Sequence, residues 1–174
     1  MKRIVLPLLV GILFLVVQVT LLPFFPIQRV RPDLLLILTL YLAFLFPPIS
    51  GGILAFCMGY LLDLFSGNAL GFYALSRSLV FFTAYFFKGR IYLEGFYSQC
   101  LFAFMFSIVE GILILILMNA LQFVPLGKLY PLFFTFHLPQ SFFTGLVTPL
   151  FFFLFEKGSM LLFHPPEKGI KERV

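Results

Sequence analysis

The chain has 174 residues, 61% of them hydrophobic and only 11% charged, with a mean hydropathy of +1.09. A soluble domain carries about 25% charged residues, so this chain cannot cover itself with polar groups. It reads as an all-α polytopic membrane protein: one six-helix transmembrane domain over residues 1–163 and a short polar tail, 164–174. The net charge of +5 lies in short connections and at the termini, as in membrane topology, and does not make a nucleic-acid surface.

Helix 1 is predicted over Ile4–Phe25. This apolar run exceeds a signal-peptide core of about 7–15 residues and is followed by no small-residue cleavage site, so it reads as a retained first span in the bilayer. Pro7 falls near its first turn, and Gln18 and Thr20 are its polar residues. Helix 2 is predicted over Pro32–Phe46, roughly 22 Å long and short for a span. Pro32 suits the first helical position, and Asp33 lies beside the positive end of the dipole. Pro47-Pro48 stops it, and helix 3, Ile49–Phe65, follows at once, so helices 2 and 3 are expected to form a close antiparallel pair.

Helix 3 organises the rest. Gly51, Ala55, Gly59 and Asp63 recur every four residues and share one helix face. Such a small-residue strip admits another helix backbone in lipid, either inside the fold, the preferred reading, or from a partner. The turn Ser66-Gly67-Asn68 is expected to take positive φ at Gly67 or Asn68. Helix 4, Ala69–Phe87, then forms a tight hairpin with helix 3. Gly67 and Gly71 are spaced as GxxxG but straddle the turn, a weak dimerisation signal. Helix 5 covers Phe96–Met118, and helix 6 covers Leu132–Phe163, where Pro139 and Pro149 are expected to kink or split it. With the N-terminus in the cytoplasm, the inner segments hold eight Lys and Arg and the outer ones three (Arg29, Arg31 and Lys128). Both termini are therefore placed in the cytoplasm.

Asp63, Arg77 and Glu110 are the ionisable residues at membrane depth, where a charge costs about 2.5–3.5 kcal/mol on insertion scales. They read as a charge-paired knot fixing helices 3, 4 and 5. Glu110 matches Arg77 in depth, Asp63 reaches it only by snorkelling, and the two acids compete for it. The chain's two aspartates, Asp33 and Asp63, do not face each other as an aspartyl protease requires. His137 and His164 lie near helix ends without a ligand set, Ser76 and Ser78 have no neighbouring base, and Cys57 and Cys100 read as small hydrophobes. No catalytic, cofactor or metal site is predicted.

Arg31-Pro32-Asp33-Leu34-Leu35-Leu36, together with Gly51 and the run Gly59-Tyr60-Leu61-Leu62-Asp63-Leu64-Phe65-Ser66-Gly67-Asn68-Ala69-Leu70-Gly71, resembles the rod shape-determining protein MreD family. The resemblance covers essentially the whole chain. It implies a non-catalytic scaffold subunit of the bacterial elongation machinery in the inner membrane, supporting lateral peptidoglycan synthesis. The implied partners are MreC, an anchored periplasmic protein, and also MreB, RodA and a transpeptidase. The family is also similar in fold to the substrate-binding S subunits of energy-coupling-factor vitamin transporters, and such a subunit is the alternative function. S subunits dock through an alanine-xxx-alanine face on helix 1, whereas Ile4–Phe25 holds no alanine and one glycine, Gly11.

Overall fold

A computed structural model describes residues 2–21, 31–66, 71–90, 95–120, 131 and 133–163. It is all-α, with six helices and no strand among the described residues: α1 (Lys2–Val16), α2 (Leu34–Leu45), α3 (Pro48–Ser66), α4 (Phe72–Phe87), α5 (Phe96–Ala120) and α6 (Leu138–Phe163). A π-helical turn, Val17–Leu21, extends α1, and another, Phe133–His137, precedes α6. Three stretches are long and apolar enough to cross a membrane: Pro48–Ser66, Phe96–Ala120 and Phe133–Gly158. Gly67, the end of predicted helix 1 beyond Leu21 and the 164–174 tail lie outside the described residues.

Local chemistry sets the boundaries. Pro32 lies outside α2, which begins after Asp33. Asp33 is extended (φ −88°, ψ 94°), and its carboxylate accepts the Leu36 N–H, as an N-cap does. At the other end Phe46 is also extended (φ −102°, ψ 154°), since Pro47 disfavours a helical residue before it. Pro48 then takes the first position of α3, where its missing N–H costs nothing. Helix α4 starts at Phe72, later than Ala69, because Gly71 before it holds φ +104°, a conformation that favours glycine.

Neither proline splits α6. Pro139 stands in its first turn, directly after the π-helical turn, and Pro149 lies inside it. Proline 149 has no N–H to offer the Gly145 carbonyl. Nearby, the Thr148 hydroxyl donates to the Thr144 carbonyl at 2.6 Å.

Helix α2 is the centre of the bundle. Nine of its twelve residues are buried, as expected of a helix apolar on every face. Its threonine, Thr39, donates its hydroxyl to the Leu35 carbonyl at 2.8 Å. Helices α1, α3, α4, α5 and α6 all touch it, and the most extensive pairings around it are α3 with α4 and α5 with α6. The expected close pairing of helices 2 and 3 is not observed: α2 packs more on α4 than on α3. The cause is the small-residue face of α3, which is turned to α4. Aromatic edges join the remaining elements: Phe14 to Phe151 (5.3 Å), Tyr41 to Phe152 (5.5 Å) and Phe44 to Phe102 (5.5 Å).

Candidate functional site: a buried ion cluster and its caps

Arg77 lies in the second turn of α4, completely buried. Its Nη2 donates to Asp33 Oδ2. The other Asp33 oxygen accepts the Leu36 N–H at 2.9 Å. One carboxylate thus caps α2 and neutralises a side chain of α4. The Asp33 N–H in turn donates to Thr144 Oγ1 of α6 at 3.0 Å. Glu110 of α5 completes the cluster, its Oε1 3.1 Å from Arg77 Nε. That approach is an ion pair without hydrogen-bond geometry, since Nε, Nη1 and Oε1 all lack a hydrogen-bond partner. Three helices therefore meet at one guanidinium, and α6 joins them through the Thr144 contact to Asp33.

Asp63 does something else. Its carboxylate accepts the backbone N–H groups of Gly71 (3.0 Å), Tyr73 (2.9 Å) and Ala74 (3.0 Å). It forms no ion pair with Arg77: of the two acids the sequence sets in competition for Arg77, Glu110 reaches it, and Asp63 serves as a cap. The first N–H groups of a helix have no intrahelical acceptor, their end carries partial positive charge, and Gly71 has no side chain to serve them. Asp63→Ala is expected to cost about 1–3 kcal/mol by leaving these donors unmet. Asp63→Asn, which keeps one acceptor oxygen, should cost less, and thermal unfolding of the purified variants measures both.

The small-residue face acts on the same turn of α4. A Cβ built on Gly59 would run into the Tyr73 carbonyl oxygen and lie 2.6 Å from Ala74 Cα. The two backbones are in contact there. On Gly51 it would strike the Phe81 ring and lie 3.2 Å from Phe46 Cβ, and Ala55 is wholly buried. The strip is thus covered by the chain itself. A second close approach joins α5 to α6, where a Cβ on Gly145 would come within 2.9 Å of the Cys100 carbonyl.

Two features escape the sequence reading. Asp33 is expected at a helix start, and the structure makes it the hydrogen-bonded partner of Arg77. The hydroxyl face of α6 is also new. Ser107 donates to Ser141 (2.9 Å), Ser141 donates to the His137 carbonyl (2.8 Å), and Thr144 receives Asp33. Ser141, Thr144 and Thr148 are spaced by three and four residues in an otherwise phenylalanine-rich stretch, which was the available signal. Arg31 and Pro32 are half-buried at the entry to α2. His137 is half-buried and stacks on Phe133 at 5.9 Å. Cys57 and Cys100 are free thiols, and no three His, Cys, Asp or Glu side chains cluster as metal ligands among the described residues.

Apolar helices closed around a buried ion cluster, three of them long enough to cross a bilayer, define an all-α membrane protein. The chain belongs to the MreD family: the family model described as rod shape-determining protein MreD matches residues 2–161. It is therefore a cell-shape protein of the membrane. No curated protein and no solved structure matches the chain.

Proposed function

We propose that this protein is a non-catalytic scaffold of the bacterial elongation machinery, a multi-pass subunit of the inner membrane with both termini in the cytoplasm. One transmembrane domain, residues 1–163, does this work, and residues 164–174 form a cytoplasmic tail. Its partners are an MreC-like anchored protein and, in the same assembly, MreB, RodA and a transpeptidase. Holding them together supports lateral peptidoglycan synthesis.

The observation that carries this reading is the family match over residues 2–161. The use of the polar groups agrees with it. Asp33, Asp63, Thr144 and Ser141 each make a hydrogen bond to another helix of the same chain, which makes a rigid body for partners to hold. Depletion in the native rod-shaped cell should give round cells, and an MreC-like protein should co-purify. Normal rods with a new vitamin requirement would point to a transport subunit and defeat the scaffold.

A further inference from the structure

A groove of about 520 Å³ runs along the surface where α5 and α6 meet, within the size range of small-molecule sites, about 300–1,000 Å³. Tyr97, Leu101 and Phe104 form one wall, and Phe142 and Leu146 form the other. Its floor is backbone, because Gly145 has no side chain and lies against the Cys100 carbonyl. Both walls belong to stretches long and apolar enough to cross a membrane, Phe96–Ala120 and Phe133–Gly158. The groove therefore opens to the hydrocarbon of the bilayer.

Its extent limits what it can hold. The α5 wall runs from Tyr97 to Phe104, about two turns and 10 Å. A helix is about 10–12 Å across, and a stable protein interface buries about 800 Å² per partner. Two turns of wall are too little for that. A hydrocarbon chain is narrower and asks for no polar partner along its length.

The α6 wall continues past the groove. Phe142, Leu146, Leu150 and Phe153 are all exposed, and their spacing by three and four residues puts them on one face. The next position on that face is Lys157, also exposed. It stands at the end of the apolar stretch, eleven residues beyond Leu146 and so about 16 Å away. Half of a bilayer's hydrocarbon core is about 15 Å deep. A chain whose polar end is held at Lys157 therefore reaches the groove with its far half. The lysine ammonium is a compact positive charge with three donors, which suits a phosphate. Glu156 lies on the adjoining face of the helix.

We propose that the α5–α6 groove is a lipid site: it holds an acyl chain of an anionic phospholipid whose phosphate pairs with Lys157. The site depends neither on the scaffold role nor on which side of the membrane carries Lys157.

The full chain in nanodiscs of equal parts phosphatidylglycerol and phosphatidylcholine tests it. Native mass spectrometry after transfer to mild detergent should show phosphatidylglycerol retained about fivefold over phosphatidylcholine, the preference one lysine gives beside an anionic headgroup. Lys157→Gln should bring the two lipids close to parity. The chain has no tryptophan, so Leu101→Trp places a single fluorophore in the groove. Phosphatidylglycerol brominated in its tails should quench it more than brominated phosphatidylcholine at the same fraction. Leu79→Trp, on an exposed position of α4, should be quenched equally by both. Equal retention of the two lipids by the wild type overturns the site, and a preference kept in Lys157→Gln overturns the headgroup contact. Equal quenching at Leu101, or the same preference at Leu79, overturns the placement in the groove. No quenching at Leu101 by either lipid means that a second copy or a partner helix fills the groove, and overturns the lipid.

Discussion

Replacing Arg77 with alanine is expected to remove most of the folded protein from the membrane. The guanidinium is the only buried cation among the described residues that touches Asp33 and Glu110. Without it, Asp33 keeps the Leu36 N–H on one oxygen and loses the partner of the other. Breaking a buried ion pair by removing one partner costs about 3–5 kcal/mol, against a total stability of about 5–15 kcal/mol for a typical protein. Lysine keeps the charge but has no planar fork to serve two carboxylates, so Arg77→Lys should fall between wild type and alanine. Joining Arg77→Ala to Asp33→Asn should recover part of the loss, because the stranded charge is gone and asparagine still caps α2. The readout is the amount of monodisperse protein extracted in mild detergent and its melting temperature. Wild-type yield and melting in Arg77→Ala would show that the cluster does not hold the bundle.

Much of this architecture could be read from residue spacing. The four-residue recurrence of Gly51, Ala55, Gly59 and Asp63 gives the α3–α4 seam directly, because one helix face is a local property. The central position of α2 was not readable. A run such as Leu34–Leu45, apolar on all faces, looks the same whether lipid or other helices surround it, and its shortness was the one hint. From that ambiguity came the missed pairing. With α2 at the periphery, Asp33 would be a surface cap. With α2 enclosed, the same cap is buried at the level of Arg77 and Glu110. Asp63 was visible as an intramembrane acid, but its use was decided by where α4 begins, and Gly71 with its φ of +104° sets that boundary at Phe72, beyond the predicted Ala69.

Gly59→Leu should be the most damaging change that alters no charge. Even one methyl group at this site meets backbone, the Tyr73 carbonyl and Ala74 Cα, and backbone cannot swing aside as the tip of a side chain can. A leucine fits only if α3 and α4 separate. Overpacking of this kind costs about 1–3 kcal/mol and occasionally more. Separation also draws Asp63, one turn along the same face, away from the N–H groups of Gly71, Tyr73 and Ala74. The two losses are therefore one event. Gly59→Leu combined with Asp63→Ala should cost clearly less than the sum of the single variants, since coupled neighbours depart from additivity by about 0.5–3 kcal/mol. Gly158→Ala, where a Cβ meets nothing within 4 Å, should leave melting unchanged or raise it, as alanine favours helix over glycine by about 1 kcal/mol. Strict additivity of Gly59→Leu and Asp63→Ala would mean that the glycine contact and the carboxylate cap secure α4 separately.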